Sequence, residues 1–184
     1  MNVIVAVTAA SGAVYARLFL EMLAECGEVE RIALIYSDNA RAVAEHEEVA
    51  MPSADGKIVE YSNDDMFASP ASGSAAWDAM VVIPSSVGTL GRVACGVSRT
   101  LVERTADVML KERRRLVFVV REMPYSLVHL RNMTALTEAG AIIVPASPSF
   151  YSKPATITEL CRTVVERTAS LTGLHIGHFE WGEE

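Results

Sequence analysis

Cysteine is scarce in this chain of 184 residues: Cys26, Cys95 and Cys161 are widely spaced and odd in number. Such spacing gives neither a disulfide framework nor a zinc-ligand pattern, and it fits a reducing compartment. No apolar run reaches the eighteen or so residues that span a bilayer, and no charged-then-apolar leader precedes the first apolar segment. A soluble, cytoplasmic protein is expected. Positive charge is also short. The formal net charge of −7 argues against a general nucleic-acid or membrane-surface binder. The four histidines show no ligand spacing beyond the weak His175/His178 pair, so no metal is expected. Gly-x-Gly-x-x-Gly is missing, internal repeats are missing, and no stretch reads as a linker.

What is present is core. Half of the residues are apolar and a fifth are charged, enough for one well-filled domain. Residues 2–8, 31–36, 80–84, 116–120 and 141–144 are short apolar runs, the pattern of parallel strands buried on both faces. Lys57–Tyr61 adds a weaker candidate. Amphipathic segments lie between them, at about 13–24, 40–48, 99–112, 125–138 and 156–171, with a further helix after the Ser85–Thr89 turn. Gly27 and Gly140 are C-terminal stops, and Ser37, Asp38 and Asn39 are candidate caps. Strand and helix in alternation predict a doubly wound parallel sheet, a Rossmann-like or flavodoxin-like three-layer α/β/α fold. Residues 1–172 form the expected single domain, and 173–184 a tail that needs a partner to order it.

Three places carry candidate chemistry. The turns Ala9-Ala10-Ser11-Gly12-Ala13 and Ser85-Ser86-Val87-Gly88-Thr89 each follow a strand and precede a helix. Small residues there let backbone N–H groups approach a phosphate, although tight packing alone would also select them. The third place is Arg104 to Pro124. On a helix over 99–112, Arg104, Asp107 and Lys111 share a face. Arg121 and Glu122 leave the next strand at the edge where ligands bind in open α/β sheets. Helix and strand are expected to aim these cations at one anionic ligand, with Glu122 as proton donor or acceptor. Among cations Glu122 stays ionised unless burial or a bound phosphate favours the protonated acid. Arg113, Arg114 and Arg115 read as a solvated helix end, Glu47 as part of a solvated helix face, and Trp77 and Trp181 as packing residues. Tyr151 sits in the loop after the last strand and can face the same crevice.

The run Arg104-x-x-Asp107-Val-x-Leu-Lys111-Glu-Arg-Arg, with Arg121-Glu122-x-Pro124, His129-Leu-x-Asn132-Met133 and Pro145-x-x-Pro148-x-Phe150-Tyr151-x-x-Pro154, resembles the UbiX-type flavin prenyltransferases. The likeness covers residues 1 to about 172. It implies transfer of a dimethylallyl group from dimethylallyl monophosphate to N5 and C6 of reduced FMN, giving prenylated FMN for a UbiD-type decarboxylase. It further implies a metal-independent homo-oligomer, a dodecamer, binding FMN between protomers. Carried over by position, Ala9, Ala10, Ser11, Ser37, Ser86, Val87, Gly88, Thr89 and Arg121 would bind FMN. Arg104, Lys111, Tyr151 and Arg167 would hold the prenyl phosphate. Ser11 and Glu47 would relay a proton near N5, and Glu122 and Lys111 would act at the leaving phosphate.

The chain departs from that family's pattern in three places. Ala9 replaces the first glycine of Gly-Ala-Ser-Gly, adding a methyl group beside the expected flavin. Ser85-Ser86-Val87-Gly88-Thr89 replaces Cys-Ser-Met/Ile-x-Thr but keeps Ser86 and Thr89. Met123 stands where a threonine often follows Arg-Glu. An FMN-dependent cysteine decarboxylase of the phosphopantothenoylcysteine type is the first rival; its Pro-x-Met-Asn stretch is replaced here by Pro84-Ser85-Ser86-Val87. A non-catalytic flavin-binding subunit is the second. The joint presence of Arg104, Lys111, Glu122, Tyr151 and Arg167 weighs against it, since flavin storage needs no second phosphate site.

Overall fold

The computed structural model describes residues 1–177; His178, Trp181 and the rest of the expected tail's end lie outside the described residues. The strands are β1 (Asn2–Val7), β2 (Arg31–Tyr36), β3 (Ile58–Tyr61), β4 (Ala79–Ser85), β5 (Arg115–Val120) and β6 (Ile142–Pro145). The helices are α1 (Ala13–Glu25), α2 (Ala40–His46), α3 (Val87–Ala94), α4 (Leu101–Lys111), α5 (Leu127–Glu138) and α6 (Ile157–Leu171). The strands form one parallel sheet in the order β3-β2-β1-β4-β5-β6. The weak candidate at 57–61 is real, as the edge strand β3.

Burial explains why the central strands read so clearly. Val3 to Ala6, Ala79 to Ile83 and Leu116 to Val119 are all fully buried, because helices cover both faces of a parallel sheet. One face packs α1 and α6 through Leu18, Phe19, Leu23, Val164, Val165 and Ala169. The opposite face packs α3, α4 and α5 through Leu90, Val93, Leu101, Val102, Met109 and Leu136. Capping boxes start α4 (Thr100 with Glu103), α5 (Ser126 with His129) and α6 (Thr156 with Glu159), each satisfying otherwise orphaned N–H groups. Of the three candidate caps of α2, Asn39 holds the position, without a side-chain hydrogen bond.

One helix and the tail behave differently from their sequence patterns. In α5 only Leu136 is buried, and Leu127, Val128 and Leu130 stand 60%, 62% and 47% exposed. The tail, in contrast, begins by docking: Leu174 is buried, and the His175 N–H donates to Glu28 Oε1 at 3.2 Å. Among the described residues, no helix is long and apolar enough to cross a membrane.

After β1 the chain builds β2 and β3 on one side, then returns to lay β4 on the other. The connections therefore diverge at the C-terminal ends of β1 and β4, which opens a crevice at that switch point. Thr8 ties its walls together. Its hydroxyl donates to the Pro84 carbonyl at 2.8 Å and accepts from the Ser86 N–H at 2.8 Å.

Candidate functional site

A cavity of about 240 Å³ opens at this switch point, lined by Ala9, Ser37, Asp38, Asn39, Asn63, Ser86, Thr89, Arg92, Thr100 and Val102. Ala9, Ser37, Ser86 and Thr89 were expected here. Ser86 is the N-cap of α3: its Oγ accepts from the Thr89 N–H at 3.2 Å and lies 3.1 Å from the Thr89 hydroxyl. Val87 and Gly88 form the first turn of that helix and line a neighbouring groove between α3 and α5. Ala10 is buried behind the first turn, and Ser11 is exposed.

At the other side of the crevice, Gly12 adopts φ +103, and a Cβ there would stand 2.8 Å from the Tyr15 ring. Glycine is required on both counts. This turn points the Gly12 and Ala13 N–H groups at Glu47, whose carboxylate accepts from Gly12 at 2.8 and 3.0 Å and from Ala13 at 2.7 Å. Glu47 follows α2 as its C-cap. It is therefore a carboxylate closing the positive start of another helix, rather than part of a solvated face. Burial pushes its carboxyl up, but the Ser11 hydroxyl, the two N–H groups and the Arg121 charge outweigh that, and the net shift is downward. The start of α1 thus already holds an anion of the chain's own. A ligand phosphate is not needed there.

Arg121 leaves the end of β5, its N–H donating to the Ser85 carbonyl at 3.1 Å, and its charge reaches Glu47 and Tyr15. Glu122 is half-buried beside it and accepts the Met123 N–H at 3.0 Å. Ser11, Glu47 and Arg121 therefore form one cluster at the crevice, with Glu122 next to it along the chain.

Arg104 and Lys111 do not both converge on Arg121 within one chain. Their shared helix face is real: Arg104 Nη1 bonds Asp107 Oδ2 at 2.9 Å. However, α4 runs back along the sheet, so Lys111 stands where β5 begins and Arg121 where it ends. Six strand residues separate these ends, about 20 Å. Arg104 Nε donates to the Ala71 carbonyl at 3.2 Å, and Lys111 pairs with Glu112. Two of the three arginines after Lys111 are structural ties rather than a solvated end. Arg114 donates to the Ala75 and Gly73 carbonyls at 2.7 and 2.8 Å, and Arg115 to the Thr172 carbonyl at 2.7 Å.

Tyr151 and Arg167 belong to a third region. Tyr151 is 69% exposed in the loop after β6, and the Ser149 N–H pins that loop to Thr163 of α6 at 3.0 Å. Arg167 lies four residues beyond Thr163, on the same helix face, with Nη1 3.3 Å from the Ser170 hydroxyl. Trp77 is buried, as expected, donating to Ser69 Oγ at 3.1 Å.

Sequence reasoning missed Arg92 and Glu103. Arg92 lies between the crevice and the α3–α5 groove, donating Nε–H to Glu103 and Nη2–H to Thr89 Oγ1 at 3.1 Å. Glu103 is 2% exposed. Burial pushes its carboxyl up, but bonds from Arg92 and from the Arg99 and Thr100 N–H groups bring the net shift below the ordinary value. Thr100-x-x-Glu103 was a readable capping signal; nothing local marked Arg92 as its partner.

The Flavoprotein family model matches residues 1–170. The flavin prenyltransferase UbiX of Methanocaldococcus jannaschii is 40% identical over 189 residues, covering 99% of each chain. A dodecameric FMN-dependent UbiX-like decarboxylase from Escherichia coli O157:H7 superposes with a TM-score of 0.89 at 37% identity, over 98% of this chain and 99% of that one. A UbiX solved with FMN and dimethylallyl pyrophosphate superposes at 0.85 and 38% identity, over 97% and 98%. A parallel sheet with its crevice at the β1/β4 switch point, and likeness along essentially the whole length, place this chain in the Flavoprotein family, among the UbiX flavin prenyltransferases.

Proposed function

We propose that the chain transfers a dimethylallyl group from dimethylallyl monophosphate to N5 and C6 of reduced FMN, making prenylated FMN for a UbiD-type decarboxylase. The observation that carries this reading is the Ser11–Glu47–Arg121 cluster at a crevice lined by Ser37, Ser86 and Thr89. Those residues fit FMN: hydroxyls and a cation at one side, small residues and a hydrogen-bonding serine at the other. When bound, the reduced flavin supplies the nucleophilic N5 and the ring carbon to which the five-carbon group attaches.

The chain's own groups have separable tasks. Arg104, Lys111, Tyr151 and Arg167 hold the donor phosphate and stabilise the charge that grows on it as the allylic C–O bond breaks. Glu122 protonates the bridging oxygen, and the departing phosphate is a base placed to take the C6 proton. Ser11 passes a proton between the N5 region and Glu47. The lowered pKa of Glu47 leaves it ionised at neutral pH, so it accepts a proton through Ser11 rather than supplying one.

The donor pocket is completed by other copies of the chain. Arg104 and Lys111 lie on α4, whereas Tyr151 and Arg167 lie with α6 on the opposite face of the sheet. Only a neighbouring subunit brings one pair to the other. The exposed Leu127, Val128 and Leu130 of α5, with Phe150 at 71% exposure, supply apolar surface for a homo-dodecamer. Free cysteines at 26, 95 and 161 fit the reducing cytoplasm as its location.

Anaerobic incubation with reduced FMN and dimethylallyl monophosphate, followed by mass spectrometry, tests the reaction. One added five-carbon unit on the flavin is expected, in preference to a parallel reaction with the diphosphate. Unchanged flavin with both donors overturns the proposal, and a product from the diphosphate alone overturns the choice of donor.

A further inference from the structure

The crevice has two unlike sides. Where α1 begins, the helix N-terminus is filled by the Glu47 carboxylate, and the charge of Arg121 is partly neutralised by it. A dianionic phosphate gains little there and meets a fixed carboxylate. At the other side Arg92 stands over the first turn of α3 with its guanidinium held in place. Its Nε–H bonds the buried Glu103, its Nη2–H bonds Thr89 Oγ1 at 3.1 Å, and Nη1 lies 3.4 Å from where a Gly88 Cβ would be. Ser86 and Thr100 place hydroxyls along the same wall. Asp38 also lines the crevice, but its Oδ1 is engaged by Asn63 Nδ2 at 3.1 Å.

Glu103 is saturated by this arrangement. Oε1 takes Arg92, while Oε2 takes the N–H groups of Arg99 and Thr100 at 2.9 and 3.2 Å. It anchors Arg92 from behind without itself reaching for a ligand. The Arg92 side chain remains 49% exposed, so part of the fork still faces the opening. An arginine fixed along one edge and open along another suits a phosphate, whose oxygens match the planar donors.

We propose that Arg92 binds the flavin phosphate, that Glu103 and Thr89 position it, and that this cation makes the crevice select a phosphorylated flavin over riboflavin. The proposal rests on the flavin reading above and adds a direction to it: phosphate at the start of α3, ring toward Ala9–Ser11 and Glu47.

Equilibrium binding of FMN and of riboflavin to the full-length oligomer, for wild type and R92M, tests this assignment. Wild type should prefer FMN. R92M should lose roughly tenfold to hundredfold in FMN affinity, the cost of a charge-assisted hydrogen bond, with riboflavin affinity moving less than about threefold on the same reasoning. R92K should recover part of the FMN preference. E103Q should lower it without touching riboflavin, a change in the ratio that a merely structural role would not produce. If R92M leaves the buried Glu103 unpaired and the protein does not fold, the R92M/E103Q double variant removes that charge and keeps the comparison. Equal losses for both flavins, or an unchanged FMN preference, overturn the role of Arg92 and leave the flavin reading standing. Wild-type protein that binds neither flavin overturns the flavin reading itself.

Discussion

The crevice proposed for the flavin and the residues proposed for the donor phosphate are built in opposite ways. The walls of the crevice are tied together within one chain. Gly12, Ala13 and Glu47 lock one side, Arg92, Thr89 and Glu103 lock the other, and Thr8 ties the two strand ends between them. Of the residues proposed for the donor, Arg104 and Lys111 pair with Asp107 and Glu112, while Tyr151 and Arg167 lie in a separate region. A pocket that uses both Lys111 and Arg121, at the two ends of β5, cannot close within one copy. Cofactor binding and chemistry should therefore respond differently to the same disturbance.

The largest effect should separate the two halves through Glu122. E122Q keeps the side-chain shape and the acceptor that receives the Met123 N–H, but removes the transferable proton. Flavin binding should stay intact while single-turnover prenyl transfer falls by about 10²- to 10⁴-fold, the usual worth of a general acid. Equal turnover by the variant would remove Glu122 from the mechanism. A smaller effect should sharpen the division between copies. R104A and R167A should each raise the KM for dimethylallyl monophosphate by roughly ten- to hundredfold, with the FMN dissociation constant unmoved. Mixed oligomers of the two variants should regain activity that neither has alone, because some donor pockets then draw an intact residue from each copy. Activity that merely averages the two would mean that both residues serve the pocket from one chain.

The smallest effect concerns Glu47 and acid. Its carboxyl titrates below the ordinary range in the fold, so its contribution to stability is fully present above the unfolded-state value, about 4.3. That contribution is lost as pH falls through the folded value. E47Q should cost about 1 kcal/mol near neutral pH, comparable with loss of a helix cap, and should flatten the acid limb of a stability-against-pH curve. A parallel downward shift at all pH values would show that its charge plays no part.

The contrast between the halves also shows what could be read before the fold was known. Buried strands were legible because residues such as Val3–Ala6 and Leu116–Val119 meet apolar neighbours on both faces. The α4 face carrying Arg104, Asp107 and Lys111 was legible because helical periodicity is local. The end of the sheet at which Lys111 finishes was not read correctly, because direction depends on the helix running back between two parallel strands. Glu47 looked like one acid in a charged run, since its partners, Gly12 and Ala13, lie 35 and 34 residues away. The resemblance implies a role for it that its neighbours in sequence could not suggest. Arg92 escaped both routes: its meaning depends on Glu103, which reads by itself as a capping acid.

By itself the sequence determined the alternation of strands and helices, the capped starts of α4, α5 and α6, and the small-residue turns at the crevice. All of these follow from periodicities and hydrogen bonds that close within a few residues. Only the tertiary structure decided which acid fills the start of α1, which arginine stands over α3, and that Lys111 and Arg121 of one chain lie apart. Those outcomes depend on strand order and helix direction, which bring together or separate side chains that no local pattern relates.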